Sequence, residues 1–245
     1  MPSDLVPLWL NWHGRHVLVV GMGAVGQRRA LTFQRAGATV IGIDPVPAIQ
    51  GSEWGELIRA GLDLKAEPYA PEIFDELELS HGRPDLVLAC ATRAVNARVV
   101  ADAIARGLWV ASATSEPDRT EDPSTAPNAH LGAVRAGDYL KVAVHSGNVA
   151  PALAAAVGDH IARALLPAAD RLAQEAARWR QRIVSDQSLA PELRKRCLSA
   201  AGDPDRLRRE VEMSGAGVED LRRFLTELLG PLPTGESATD AETMP

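Results

Sequence analysis

The stretch His16-Val-Leu-Val-Val-Gly-Met-Gly-Ala-Val-Gly-Gln-Arg-Arg-Ala30 constrains this chain more than any other. The apolar run Val17 to Val20 reads as a buried strand that enters Gly21, Gly23 and Gly26 and continues as a helix. A second strand, Ala38 to Ile43, ends in Asp44. In this order each residue has a physical task. Gly21 permits the tight turn, Gly23 lets the backbone approach a pyrophosphate, and Gly26 lets the helix pack close to the sheet. The first helical N–H groups, at Ala24 and Val25, face the anion. Asp44, followed by Pro45, stands where a carboxylate accepts hydrogen bonds from an adenosine ribose. No arginine follows it directly, so NAD is expected rather than NADP. A glycine-rich turn in some other βαβ unit is the competing reading. The complete order of strand, glycines, helix, second strand and acid favours the dinucleotide. Gly26, Ala30, Phe33 and Gly37 recur at helical spacing and are expected on the inner face of that helix.

The rest of the composition narrows the class. The 245 residues allow one or two domains, and 46% apolar content is enough for a real core. A net charge of −6 disfavours a nucleic-acid surface. Cys90 and Cys197 are far apart, which suggests neither a metal site nor a disulfide, and Cys90 is expected to be a buried, inert thiol. The opening Met-Pro-Ser-Asp-Leu-Val-Pro-Leu lacks the features of a secretory signal, and no uncharged run reaches transmembrane length. A cytoplasmic protein, with neither membrane nor nucleic acid as partner, is the expectation.

Strand and helix signals alternate through the first half. After Asp44 come a short helix from Ser52 to Arg59, a weak strand from Leu62 to Ala66, and a short helix from Glu72 to Leu79. Asp85 to Thr92 is a near-continuous apolar run, as a buried parallel strand should be. Val95 to Arg106 is helical by period, with Val95, Val99, Ala103 and Arg106 on one side and Gly107 as its stop. Leu108 to Ala113 is a further strand. Such alternation implies an α/β, Rossmann-type parallel sheet. Residues Thr114 to Asn128 are polar and proline-rich, a length of loop that usually carries function. Leu131 to Arg135 and Tyr139 to His145 read as two half-exposed strands. An alanine-rich helix follows from Pro151 to about Leu166. Helical segments are then expected near Ala168–Ser185, Pro191–Ala200, Pro204–Met213 and Val218–Leu229. The tail from Thr234 has no aliphatic periodicity and is expected to be disordered.

Four stretches together resemble the precorrin-2 dehydrogenase/sirohydrochlorin ferrochelatase family, the N-terminal module of siroheme synthases. They are the opening Leu8 to Ala30, Ala89-Cys-Ala-Thr-Arg-Ala-Val-Asn-Ala-Arg-Val-Val100, the strand Leu108 to Ala113, and Val142-Ala-Val-His-Ser-Gly-Asn-Val-Ala-Pro151. The resemblance implies NAD-dependent oxidation of precorrin-2 to sirohydrochlorin, in some members followed by insertion of ferrous iron. It also implies a homodimer. The expected division is residues 1–113 as the NAD-binding domain, 114–150 as a small β dimerisation and active-site region, 151–230 as a helical domain and 231–245 as a tail. Ala91 and Thr92 join Gly21, Gly23, Ala24, Val25, Gly26, Asp44 and Pro45 as expected cofactor contacts.

The chemistry needs a hydride acceptor and a proton acceptor. The resemblance places an aspartate after the fifth strand, but this chain has Ser115 there, with Glu116 and Asp118 close by as carboxylates. It places serine at two successive positions that are here His145 and Ser146. A histidine at that position suits proton acceptance during metal insertion. Arg119, His130, Arg135 and Lys141 are candidates for a positive pocket that receives substrate carboxylates, and the N–H groups of Val149 and Ala150 for a helix-end anion site. Ser115 also keeps open a second reading, a relative that retains the fold but is chelatase only, or binds NAD or tetrapyrrole without turnover.

Overall fold

The structure is a computed structural model and describes residues 5–48, 52–114, 126–147 and 149–203. The expected sites Ser115, Glu116, Asp118 and Arg119, the helical segments beyond residue 203 and the tail lie outside the described residues. The chain divides into two compact units: residues 1–132 with 145–151, and residues 133–144 with those from 152 onward.

The first unit is an α/β layer structure. Strands β1 (His16–Val20), β2 (Thr39–Ile43), β3 (Asp63–Lys65), β4 (Leu86–Ala89) and β5 (Trp109–Ser112) form one sheet in the order β3-β2-β1-β4-β5. Every pairing is parallel. The connections hold α1 (Ala24–Arg35), α2 (Ser52–Arg59), α3 (Ile73–Ser80) and α4 (Arg93–Ala105). The central strands are buried on both faces, which is why their sequences read as continuous apolar runs rather than as alternation. The two-residue period nevertheless sorts them. Leu18 and Val20 pack on one face with Ile73, Phe74, Leu77, Val99 and Ala103 of α3 and α4. Val17 and Val19 pack on the other with Ala30, Leu31 and Phe33 of α1 and Leu57 of α2.

Two helix faces differ from expectation. Gly37 is not on the inner face of α1 but just beyond its end, at φ +88°. There the N–H of Gly37 bonds to the Gln34 carbonyl and that of Ala38 to the Phe33 carbonyl, so glycine closes the helix. On α4 the buried residues are Asn96, Val99, Val100 and Ala103, one step round from the expected stripe. A buried asparagine disguised that face.

The second unit joins a two-stranded antiparallel sheet to helices. Strands β6 (Ala133–Ala136) and β7 (Lys141–Val144) pair, and none of their residues is buried. Helices α5 (Pro151–Ala164), α6 (Leu166–Ser185) and α7 (Pro191–Ala200) follow. Trp179 and Ile183 of α6 pack with Leu189, Cys197 and Ala201 into a separate small core. The β6–β7 turn is fastened by one side chain. Asp170 of α6 accepts the N–H groups of Asp138, Tyr139 and Leu140, each at 2.8 Å. Gly137 lets the turn lie close to that carboxylate, since a Cβ there would stand 2.7 Å from it and force the Asp170 side chain to move. Arg135 pairs with Asp159 at 2.7 Å in the same unit.

Candidate functional site

The carboxyl ends of β1, β2, β4 and β5 bring together most of the expected cofactor residues. This is the edge at which open α/β sheets hold ligands, beside the strand where the order reverses. Gly21 has φ +96°, and a Cβ on it would stand 2.5 Å from the Ala91 amide nitrogen. Gly21 therefore makes a turn that only glycine adopts freely, and it does so pressed against the β4–α4 connection. A Cβ on Gly26 would collide with the Gly21 carbonyl oxygen. Gly23 is different. It is the N-cap of α1 with an ordinary φ of −71°, and a Cβ on it would meet nothing within 4 Å. Nothing in the protein itself demands glycine there. No side chain caps α1, and Ala24 and Val25 are exposed at its first turn.

Asp44 lies just beyond β2. One carboxylate oxygen accepts the Met22 N–H at 2.7 Å and the other accepts the Val46 N–H at 2.9 Å, spanning exposed Pro45. Asp44 thus fastens the glycine loop to the end of β2, a structural role that sequence reading missed. Gln27 does similar work from inside α1. It is 2% exposed, and its side-chain N–H groups donate to the Met22 carbonyl at 2.8 Å and the Ala48 carbonyl at 2.6 Å. A polar residue one position from Gly26 on a small-residue face was the available signal.

The β4 end is organised by Asn96, which is 1% exposed. Its Oδ1 accepts the Ala91 N–H at 2.8 Å, and its Nδ2 donates to the Ala91 carbonyl at 3.2 Å and to Thr114 Oγ1 at 3.3 Å. Thr92 is the exposed N-cap of α4, and its hydroxyl accepts a long 3.5 Å bond from Val95 N–H. Cys90 is half-buried rather than buried as expected, and the loss of solvent still pushes its thiol pKa up, with Arg29, 3.6 Å away, acting in the opposite direction. A raised pKa leaves little thiolate, as an inert thiol requires.

The segment after residue 125 returns to β5. Asn128 Oδ1 accepts the Val110 N–H at 2.8 Å, its Nδ2 donates to the Leu108 carbonyl at 3.0 Å, and the Ala129 N–H donates to the Val110 carbonyl at 3.0 Å. His130 and His145 then meet edge to face with ring centroids 5.5 Å apart. The Gly147 N–H donates to His145 Nδ1 at 3.0 Å. The expected anion site before α5 is filled from within. Ser146 Oγ accepts the Ala150 N–H at 3.0 Å, and the Ser146 carbonyl accepts the Val149 N–H at 3.3 Å. Neither N–H is open to a ligand, because Ser146 folds the turn back on itself. His130 belongs to the first unit, Arg135 and Lys141 to the second.

A cavity of about 600 Å³ lies at the opposite edge of the sheet, lined by Trp12, Arg15, Arg83, Asp85 and Trp109 among others. Its charged groups are engaged locally. Arg15 pairs with Asp85 at 2.9 Å, and Arg83 donates to the carbonyls of Arg106 and Gly107. Among the described residues no group of three or more His, Cys, Asp or Glu side chains could hold a metal ion, and no helix is long and apolar enough to cross a membrane.

Residues 8–120 match the model of a family described as "Putative NAD(P)-binding". Siroheme synthase 1 of Halorhodospira halophila is 33% identical over 179 residues, 72% of this chain and 34% of that relative. Siroheme synthase of Azotobacter vinelandii is 30% identical over 193 residues, 79% of this chain and 38% of that relative. The chain therefore spans little more than a third of the length of these curated relatives. Among solved structures, SirC, precorrin-2 dehydrogenase, superposes with a TM-score of 0.68 at 18% identity, over 91% of this chain and 98% of that one. That likeness establishes the fold: a Rossmann-type sheet, a small antiparallel β pair and helices. The identity to these siroheme synthases, with the NAD(P)-binding match, means that the chain belongs to the precorrin-2 dehydrogenase/sirohydrochlorin ferrochelatase family, the module found in siroheme synthases.

Proposed function

We propose that this protein oxidises precorrin-2 to sirohydrochlorin with NAD. The observation that carries the reading is the pairing of an uncapped α1 N-terminus at Gly23 with the Asp44 carboxylate 22 residues beyond Met22. The residues fit a dinucleotide: the space beside Gly23 is open, and each Asp44 oxygen holds one backbone N–H and keeps a lone pair. Bound NAD supplies the hydride acceptor. The Ala24 and Val25 N–H groups hold the pyrophosphate, assisted by the helix dipole. Asp44 accepts the ribose hydroxyls and repels a 2′-phosphate, which selects NAD over NADP. Pro45, Ala91 and Thr92 border the same edge.

Removing two hydrogens from the reduced tetrapyrrole amounts to loss of a hydride, which bound NAD would take up, and of a proton, which the protein must accept. Glu116 and Asp118 are the carboxylates near Ser115 that can take it; a serine without a partner base is a poor acceptor. The names of the relatives support the tetrapyrrole substrate. We further infer a cytoplasmic homodimer joined through the 114–150 region. The exposed Val134, Tyr139 and Leu140 support that surface.

A second reading is favoured by Ser115 itself: a member that inserts ferrous iron into sirohydrochlorin, or binds NAD or tetrapyrrole without turnover. In that case His145, beside Ser146, is the proton acceptor for pyrrole nitrogens as iron enters.

Mixing the protein with precorrin-2 and NAD and following NADH absorbance decides between these. NADH formation above a protein-free control is expected, and its absence overturns the dehydrogenase reading. Glu116→Ala, Asp118→Ala and Ser115→Asp then locate the proton acceptor. Siroheme formation from sirohydrochlorin and ferrous iron tests insertion separately, and an unchanged rate in His145→Ala removes that residue. Sedimentation reads the oligomeric state.

A further inference from the structure

The Asn96 side chain carries the tie between the ends of β4 and β5 beyond the last bond of the ladder, from Ala113 N–H to the Ala89 carbonyl. Its carboxamide takes both polar backbone atoms of Ala91, and Ala91 is the residue against which Gly21 is pressed, 2.5 Å from a Cβ built there. The second Nδ2 hydrogen donates to Thr114 Oγ1 at 3.3 Å. Thr114 leans in turn on Ser112 at the end of β5, through hydroxyls 3.0 Å apart and through its N–H to Ser112 Oγ at 3.3 Å. The result is a partly buried chain of hydrogen bonds from Ala91 through Asn96 to Thr114 and Ser112, with the glycine loop packed against its Ala91 end. Asn96 is one of the two buried polar residues of the described core; the other, Gln27, stays within the cofactor loops.

No other common side chain of this size makes these three bonds. Aspartate keeps an acceptor for the Ala91 N–H but turns an oxygen, not an N–H, toward the Ala91 carbonyl and Thr114. Leucine keeps the volume and leaves the Ala91 N–H and carbonyl unpaired in a buried place, which is costly. Catalytic geometry is sensitive to such supports, because a displacement of about 1 Å far from the chemistry can lower a rate about a hundredfold.

We propose that Asn96 is a positioning residue that fixes the spacing between the dinucleotide loop and the end of β5 at Ser112 and Thr114. It couples occupancy of the first to order at the second. The proposal rests on the reading of the Gly21 edge as a dinucleotide site. Asn96 touches no reacting atom. It acts through Ala91 on the cofactor side and through Thr114 on the side where the sequence carries Ser115, Glu116 and Asp118.

Two measurements on the full chain test this. In the first, backbone hydrogen exchange is followed with and without saturating NAD. The wild-type protein is expected to slow at residues 21–27 and also at 112–114. In Asn96→Asp the slowing is expected to stop at the first stretch. Equal slowing at 112–114 in both proteins overturns the coupling. In the second, Thr114→Val removes only the Thr114 arm and leaves Ala91 clasped, so folding is spared. Its NADH affinity, read by fluorescence titration, is expected within about twofold of wild type, while kcat with precorrin-2 falls about tenfold. A purely structural role would move both together, and wild-type turnover in Thr114→Val overturns the proposal. If the wild-type protein itself fails to oxidise precorrin-2, the functional reading falls, and the exchange measurement still decides the role of Asn96.

Discussion

Two aspartates in different units of this molecule gather backbone N–H groups, and they do so to different ends. Asp44 takes one N–H on each oxygen, from Met22 and Val46, which belong to separate loops. Asp170 takes three, all from the single turn Asp138–Leu140. Asp44 holds loops together and retains acceptor capacity that faces the edge of the sheet. Asp170 spends most of its capacity on one turn and acts as a staple. Loss of solvent around Asp170 favours the neutral acid, yet the Tyr139, Leu140 and Asp138 N–H groups outweigh it and hold its pKa below the ordinary aspartate value. The surroundings differ as well. The strands leading to Asp44 are buried on both faces, whereas β6 and β7 have no buried residue and depend on such side-chain fastenings.

The contrast breaks most sharply at the glycines. Gly21→Ala forces a Cβ into the Ala91 backbone at a positive φ, so it should abolish NADH binding and lower Tm by several degrees. Gly23→Ala should keep the wild-type Tm, because its Cβ meets no protein atom, and still weaken NADH binding about a hundredfold or more by occupying the approach to the pyrophosphate. Wild-type affinity in Gly23→Ala, read by fluorescence titration, contradicts the cofactor role of that loop.

Asp44→Ala comes next. It frees the Met22 and Val46 N–H groups and removes the ribose acceptor, so NADH affinity should fall about tenfold, with NADPH affected less. Asp170→Asn should leave NADH affinity untouched and lower Tm. The sign of its pH dependence follows from the depressed pKa. The stabilisation by Asp170 is complete above the unfolded value of about 4 and is lost as pH falls through the lower folded value. Urea titrations of wild type between neutral and acid pH should show this limb, and Asp170→Asn should lack that part of it. The smallest effect is expected from Asn128→Ala, which uncovers the outer edge of β5 near Leu108 and Val110: a modest fall in Tm and no change in NADH affinity.

How much of this the sequence disclosed depends on the kind of force involved. The sheet was legible because β1 and β4 are uninterrupted apolar runs, and the turn at Gly21 because a positive φ selects glycine. The ends of α1 and α4 at Gly37 and Gly107 follow the same rule, although helical spacing alone puts Gly37 on a packing face. Side-chain to backbone bonds were not legible. Asn96, Gln27, Asn128 and Asp170 act on partners between 5 and 32 positions away, and their residue types are common on surfaces. Hydrophobic periodicity says nothing about such bonds. The helix-end anion site before α5 failed for the same reason, since Ser146 consumes the N–H groups that periodicity left open.

The chain leaves β5 at Ala113, whose N–H bonds to the Ala89 carbonyl, and comes back to the same strand at Ala129. One end is thus moored to β4 and the other to β5, neighbouring strands of one sheet, and the Asn128 side chain bonds along the outer edge of β5. Closing such a loop costs little more when it lengthens, because the entropy grows only with the logarithm of its length. Because the moorings at Ala113, Asn128 and Ala129 all lie on strands, the Ser115→Asp variant is expected to keep the sheet and its cofactor edge intact.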